Sequence, residues 1–474
     1  MSNINIKQNS IYNILKILST SVFPLITFPY VTRVLGVENV GRINFGESLI
    51  SYINLLASLG ISSYAIRECA KVKDNKNALS KIGSELFSIN LLATIFAYII
   101  LFSILFFSTN IVEYRKLLMI QSLSVLLLTL GADWLNTAME DLRYVSVRTF
   151  FFQIIAIVLM FIFVRKPEDY YRYAVIMLVS SSLGNLVNII YRTRYCNLHF
   201  TFHIELKKHF LPICFMFSSL ISQIIYTNSD IIMIKFFHDE NHVGIYSVSV
   251  KIYNIVNMFV ASINIVILPK LSGFFREKNY SEANKILRFG LNFIVVLGLP
   301  CIVALNLLAS RIIELIAGKD FISGSLSLHT LTIALAFSFV GGFFGSGVLI
   351  ASGKEKIGLI SSAVGAVSNL ILNFIFIPKY GITAAAATTA VSEFFAMCIV
   401  LAYMDKNVHI NSIYELFIKP IIACIVMATT ILVISQFIQK NNLTTSVLIV
   451  CGMFSYLFTL LITKEKFLIT FLKK

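Results

Sequence analysis

Fourteen apolar runs, each long enough to cross a bilayer as one helix, leave this chain few folds to choose from. A hydrocarbon core ~30 Å thick takes ~20 helical residues per crossing. Six runs occupy 10–32, 42–65, 85–108, 116–138, 144–164 and 170–191. Eight more follow at 209–234, 243–269, 287–310, 326–352, 357–377, 382–404, 416–437 and 442–463. Charged residues make up only 13% of the 474 positions and mean hydropathy is +0.82. Soluble domains carry about 25% charge because their surfaces face water, so much of this exterior has lipid as its solvent. The expected fold class is an all-α polytopic membrane protein with 14 transmembrane helices. The first run is too long for a removable signal peptide and lacks a small-residue cleavage site, so it is expected to persist as the first span.

The charges that remain are informative by position. Lys and Arg number 39 against 24 Asp and Glu, a formal net charge of +15. Most sit in short gaps between apolar runs, where the positive-inside rule and anionic lipid account for them. Nucleic acid is therefore not an expected partner. Cationic residues concentrate at the N-terminus, the even-numbered gaps and the C-terminus, which predicts that both termini are cytoplasmic. Seven cysteines form no C-x-x-C pair, and no H-E-x-x-H occurs, so neither a disulfide framework nor a metal site is expected. The stretch Gly347 to Glu355 has the wrong spacing for a P-loop and no Ser or Thr after its Lys. A membrane-embedded glycosyltransferase or polymerase would need a sizeable extramembrane loop with catalytic carboxylates. The gaps here are short and mostly basic, so no catalytic residue is assigned.

The chain resembles itself. Glu38-Asn39-Val40-Gly41 is similar to Asn241-His242-Val243-Gly244, and Phe161-Ile162-Phe163 recurs as Phe374-Ile375-Phe376. Six spans separate the members of each pair, and six is even, so both halves enter the membrane in the same direction. This predicts two six-helix lobes related by a pseudo-twofold along the membrane normal, a recurring transporter plan. The expected divisions are residues 1–200 for helices 1–6, 201–406 for helices 7–12, and 407–474 for two extra helices and a tail.

Polar residues inside the spans follow helical spacing. Glu47, Ser51, Asn54 and Ser58 recur at i, i+4, i+7 and i+11, which puts them on one face. Ser247, Lys251, Asn254 and Asn257 do nearly the same in span 8. Lys16, Thr20 and Thr27 of span 1 correspond to Ser219, Gln223 and Asp230 of span 7. Uncharged members can simply join helices by hydrogen bonds. Ionisable side chains are costly in lipid, so Lys16, Glu47, Asp230 and Lys251 are expected to line a cavity between the halves. Asp230 and Lys251 also suit a buried ion pair. Asp133, Arg148 and Glu393 are further intramembrane candidates. Pro24 and Pro29 remove intrahelical hydrogen bonds from span 1 and predict a kink there.

Several segments also resemble the Wzx-type O-antigen flippases, polysaccharide transporters of the multidrug/oligosaccharidyl-lipid/polysaccharide exporter superfamily. They are Phe28-Pro29-Tyr30-Val31-Thr32-Arg33-Val34-Leu35-Gly36, Tyr64-Ala65-Ile66-Arg67-Glu68, Asp133-Trp134, Glu140-Asp141-Leu142-Arg143-Tyr144, Lys166-Pro167-Glu168-Asp169-Tyr170 and Leu268-Pro269-Lys270-Leu271-Ser272. The resemblance implies a flippase of the bacterial inner membrane that moves undecaprenyl-diphosphate-linked oligosaccharide to the outer leaflet by alternating access. It implies a cationic cavity, for which Lys16, Arg42, Arg67, Arg148 and Lys251 are the candidate headgroup contacts. Glu47, Asp133, Asp230 and Glu393 are candidates for a coupling proton or monovalent cation, with no other cofactor. Ser51, Asn54, Gln223, Asn254 and Asn257 complete the polar stripe. A polysaccharide polymerase and a chain-length regulator are partners implied by the resemblance alone. A peptidoglycan-precursor flippase and a drug/cation antiporter share the superfamily and are the alternative readings.

Overall fold

The computed structural model describes residues 6–405, 408, 412–437 and 441–465, with side chains from residue 23 onward except at 110, 259, 260 and 413. Every regular element among them is helical. Eleven helices or helical runs are long and apolar enough to cross a membrane, and they carry exposed faces of Phe, Ile, Leu and Val, as at Phe106, Phe150 and Phe454. Such outward faces suit hydrocarbon as solvent.

The chain divides into two units, residues 1–232 and 233–474. The first contains α1 (Ile6–Ser58), α2 (Ile61–Lys71), α3 (Lys76–Phe107), α4 (Arg115–Gly131), α5 (Asp133–Ala138), α6 (Leu142–Phe163), α7 (Tyr170–Leu178), α8 (Gly184–Tyr191) and most of α9 (Leu206–Phe237). The second holds α10 (Glu240–Ala261), α11 (Ile263–Arg276), α12 (Tyr280–Ala317), α13 (Ser325–Gly342), α14 (Glu355–Ala402), α15 (Ile413–Phe437) and α16 (Asn442–Ile462). A long helix, a six-residue 3₁₀ turn and a shorter helix occur in the same order in each: α3, 109–114 and α4, then α12, 319–324 and α13.

Where the helices differ from the fourteen apolar runs, backbone chemistry gives the reason. The first two runs are joined in α1, and the chain between them breaks helical geometry only at Gly36, with φ 74° and ψ 175°. The runs at 357–377 and 382–404 are likewise joined in α14 and broken at Gly381, φ 58°. A left-handed glycine redirects the axis without an intervening loop. Pro24 and Pro29 keep helical backbone angles, and the break in helical geometry within α1 comes after them, at Gly36. The fourth run became α4 and α5, separated by the left-handed Ala132 at φ 50°.

Packing uses small residues and hydrogen bonds, as expected without a strong hydrophobic drive between helices in lipid. Ala384, Ala385 and Ala386 are buried in α14. The extra hairpin of α15 and α16 packs on α12, where Tyr456 donates to the Val296 carbonyl at 2.7 Å. In the first unit, Trp134, Leu86, Phe87, Tyr64 and Cys196 belong to one buried cluster that ties α2, α3 and α5 to the segment after α8.

Candidate functional site

The second half of α1, α4 and the segment from α7 into the π-helical turn 179–183 enclose a polar cavity of about 280 Å³ within the first unit. The helical spacing read in the sequence brings Glu47, Ser51 and Asn54 to its wall. Gln121, Ser124 and Ser181 complete the polar lining, beside Ile50, Ala174, Met177 and Leu178. Ser51 and Ser124 donate back to their own helices, to the Glu47 carbonyl at 2.8 Å and the Gln121 carbonyl at 2.6 Å. Their hydroxyl oxygens keep acceptor capacity on the cavity side. Gln121 donates Nε2 to the Ile43 carbonyl at 3.2 Å, and its buried Oε1 has no hydrogen-bond partner among the described residues. A buried acceptor left so costs about 1–3 kcal/mol. That oxygen packs against Gly46, where a Cβ would lie 2.1 Å from it and would force the Gln121 side chain to move.

A smaller cavity of about 130 Å³ lies within the second unit, lined by Asn257, Asn264, Ser338 and the start of the π-helical turn 343–349. Asn257 donates to Ser338 Oγ at 3.0 Å, and Asn264 donates to the Gly342 carbonyl at 3.0 Å and Ser346 Oγ at 2.9 Å. Nearby, Tyr253 donates its hydroxyl to Glu393 Oε1 at 3.2 Å. Lys251 is half-buried on α10, with Asn254 exposed on the same helix. A π-helical turn therefore borders a polar cavity in each unit; such turns recur at functional sites because they widen the helix locally.

Asp133 and Arg148 hold each other. Arg148 Nη2 lies 2.5 Å from Asp133 Oδ2, with the guanidinium side chain 7% exposed and the carboxylate side chain 35%. Asn188 donates to Asp133 Oδ1 at 3.0 Å and to the Gly131 carbonyl at 2.8 Å, and it accepts from Asn136 at 2.6 Å. Asn185, its amide nitrogen turned toward the pair, reaches both Asp133 oxygens at 3.2 Å. This network joins α4, α5, α6 and α8, and it occupies two of the sequence-derived candidates with one another.

The other candidates are dispersed. Arg42 pairs with Glu38 at 2.7 Å and lies over the Tyr170 ring. Arg67 pairs with Glu68 at 3.2 Å and lies over Tyr64. Asp230 is buried on α9 and close enough to Tyr52 of α1 to act on it electrostatically. Gln223 is exposed. The side chain of Lys16 lies outside the described residues.

Three polar clusters lie outside the site candidates, although Tyr64, Asp141 and Asp169 fall in segments that carry the resemblance. His209 sits between Glu85 and Tyr64, at 3.1 Å from Glu85 Oε2 and 2.9 Å from the Tyr64 hydroxyl, all three buried. Asp141 accepts from Tyr191 at 2.6 Å and Tyr195 at 2.5 Å. Burial pushes the Asp141 carboxyl up, but these hydroxyls, the Tyr144 amide and the Arg194 charge outweigh it and hold the carboxyl below its usual value. Asp169 accepts from the Arg165 and Lys166 amides at 3.0 Å each, while Tyr30 donates to the Val164 carbonyl at 2.7 Å and Asn39 to that of Pro167 at 3.0 Å. Two segments that carry the resemblance, 28–36 and 166–170, thus meet as a structural joint between α1 and α7.

Comparison with known proteins places this architecture. A family model described as "Polysaccharide biosynthesis protein" matches residues 6–275, and a model described as MatE matches residues 212–375. The capsular polysaccharide biosynthesis protein CapF of Staphylococcus aureus is 25% identical over 366 residues, covering 76% of this chain and 89% of its own length. A protein named as an O-antigen transporter in Shigella dysenteriae is 22% identical over 402 residues, covering 82% and 96%. Among solved structures, the lipid II flippase MurJ in an inward closed conformation superposes with a TM-score of 0.78 at 18% identity, over 97% of this chain and 99% of that one. An inward-facing multidrug resistance MATE family transporter of the MOP superfamily gives 0.56 at 13% identity, over 81% and 97%. These likenesses show a shared fold. With a family model matched over more than half its length, the chain belongs to the polysaccharide biosynthesis protein family.

Proposed function

We propose that this protein is a flippase for a lipid-linked oligosaccharide. It moves undecaprenyl-diphosphate-linked repeat units of a surface polysaccharide from the cytoplasmic to the periplasmic leaflet of the inner membrane by alternating access. The observation that carries this reading is the cavity of hydroxyls, amides and a carboxylate around Glu47, Ser51, Asn54, Gln121, Ser124 and Ser181, set within helices whose outer faces are apolar. Sugar hydroxyls find donors and acceptors in such a lining, while the polyprenyl tail stays in lipid. The names of the Shigella and Staphylococcus relatives support the cargo class. The work is vectorial movement with no bond made or broken, so the protein is a transporter and not an enzyme.

Charge assigns the remaining roles: Lys16, Arg42, Arg67 and Lys251 are the candidate contacts of the diphosphate headgroup, each able to meet it at a different stage of its passage, and Arg148 positions the α4–α6 joint through Asp133. A coupling proton or monovalent cation binds at a carboxylate. Glu47 is placed for this role because it is exposed at a polar cavity, and Asp133 instead serves the ion pair with Arg148. A polymerase and a chain-length regulator act on the delivered product.

The test is to delete the gene in its host and separate inner-leaflet from outer-leaflet pools of the lipid-linked repeat unit. Loss of surface polymer, repeat units trapped on the inner leaflet, and rescue by the intact gene but not by Lys251→Ala at equal expression are expected. Normal polymer with a trapped peptidoglycan precursor, or with altered drug tolerance, would instead assign one of the two alternative cargoes.

A further inference from the structure

The connection from α8 into α9 is an extended strap laid along a helix. Ser80, Ser84 and Ser88 fall on one face of α3 at i, i+4 and i+8, so they step by ~6 Å along the axis. An extended chain advances ~6.6 Å per two residues, and the strap meets each serine with every second residue. Ser80 donates to the Asn197 carbonyl at 2.9 Å, the His199 amide donates to Ser84 Oγ at 3.2 Å, and the Thr201 amide donates to Ser88 Oγ at 2.9 Å. Beyond the ladder, the Glu205 amide donates to Glu85 at 3.3 Å and Lys81 pairs with Glu205 at 2.9 Å. Buried Cys196 and buried His209 close the two ends.

Along the strap and the first turns of α9 that follow it, an unusual mixture faces outward. Phe202 is 85% exposed, Phe210 66% and Leu211 75%. Lys207 and Lys208 stand exposed beside them. From 192 to 211 there are four Lys or Arg against a single Glu. The segment joins the end of one apolar span, Pro167–Arg194, to the start of the next, Leu206–Phe237, so connectivity alone puts it at a membrane surface. Apolar side chains flanked by cations at that depth match an anionic headgroup layer above acyl chains.

We propose that the strap and the first turns of α9, residues 196–211, form a lipid-interface element that binds anionic phospholipid, with Lys207 and Lys208 on the headgroup phosphate and Phe202, Phe210 and Leu211 among the acyl chains. The strap is a lipid site apart from the polar cavities and does not depend on the identity of the cargo. The chain carries its own reporter. Trp134 is the single tryptophan, and it meets the strap over Gly83: a Cβ built there would lie 2.8 Å from Leu198, 3.9 Å from Trp134 and 4.0 Å from Cys196.

The experiment uses the full-length protein in detergent micelles, titrated with phosphatidylglycerol or phosphatidylcholine. Retained lipid is counted by native mass spectrometry, and Trp134 emission is followed in parallel. The wild type is expected to retain phosphatidylglycerol preferentially. A Lys207→Gln, Lys208→Gln double variant should lose roughly 25-fold of that preference, since one cation near an anionic surface is worth about fivefold and two are removed. Phe202→Ser should weaken retention of both lipids, and an emission change in the wild type that the double variant lacks assigns the effect to the docked strap. Both substitutions fall at exposed positions, and an unchanged melting temperature checks folding. Equal retention of the two lipids by the wild type, or an undiminished preference in the double variant, overturns the proposal. So does complete displacement of the bound phosphatidylglycerol by soluble pyrophosphate, which would make the patch a site for a free diphosphate.

Discussion

Two carboxylates that look alike in the sequence are expected to behave differently under the same substitution. Asp133 is bound by Arg148, Asn188 and Asn185, so Asp133→Asn strands a guanidinium that is 7% exposed. Breaking a fully buried pair costs about 3–5 kcal/mol; with Asp133 open to a third of its surface, about 1–3 kcal/mol is expected, read as a lower unfolding temperature in detergent. Glu47→Gln removes a charge at an exposed cavity wall. It should leave that temperature unchanged and abolish accumulation of surface polymer; a destabilised Glu47→Gln protein would move Glu47 from the transport role to a structural one. Asp141 gives a pH test. Its folded-state carboxyl lies below the usual value, with burial opposing and the Tyr191 and Tyr195 hydroxyls outweighing it, so its stabilising effect is present above the ordinary pKa of about 4 and is lost as pH falls through the depressed value. Thermal midpoints measured below about pH 5 should fall more steeply for the wild type than for Tyr191→Phe, Tyr195→Phe. The charged residues were legible because each is anomalous in lipid. Their partners Asn185 and Asn188 were not, since an uncharged amide in an apolar run reads equally well as a helix-joining group.

At the scale of elements, hydropathy located the spans because the demand that lipid makes on backbone amides is local, and a sequence window sees local demands. The connections were less legible. A gap such as 33–41 reads as a loop, yet α1 runs through it and turns at Gly36. Nothing lies within 4 Å of a Cβ built at Gly36, whose φ is +74°, and nothing lies within 4 Å of one built at Gly273 in α11, where φ is not in the left-handed range. The two glycines therefore separate backbone strain from packing. Gly36→Ala should destabilise by about 1–2 kcal/mol because an L-residue is strained there, whereas Gly273→Ala should be neutral or stabilise by about 0.5–1 kcal/mol. Equal effects of the two on chemical or thermal unfolding in detergent would show that the turn at Gly36 carries no strain. The polar cavity was half legible for a related reason. Glu47, Ser51 and Asn54 share one helix, so their period is visible. Gln121, Ser124 and Ser181 come from other helices whose rotation about their own axes is set by packing, and the π-helical turn that carries Ser181 leaves no trace in a 3.6-residue pattern.

The whole molecule is constrained by the placement of its cations. The strap and its surroundings contain Lys71, Lys73, Lys76, Lys81, Arg192, Arg194, Lys207 and Lys208, and Lys73 is held charged by its hydrogen bond to Glu140 at 2.9 Å, which raises its pKa. Cationic connections stay on the side of synthesis because translocating Lys and Arg against the membrane potential costs about 2.3 kcal/mol per charge per 100 mV. The α2–α3 and α8–α9 connections share that side through the serine ladder and the Lys81–Glu205 pair, so they must face the same compartment. Both are even-numbered gaps, as are the two termini in this scheme, and all four are expected in the cytoplasm. The α6–α7 connection, 164–169, should face the periplasm even though it includes Arg165 and Lys166, because its side is set by the spans before it. Alkaline phosphatase inserted after Pro167 should be active and green fluorescent protein fused after Lys474 should fluoresce. The same phosphatase inserted at Asn75 or His203 should be inactive. Activity at Asn75 but not at His203 is the outcome the ladder forbids, because Asn75 caps α3 and the strap bonds Ser80 at that same end of the helix; activity at both would invert the topology and put the strap in the outer leaflet.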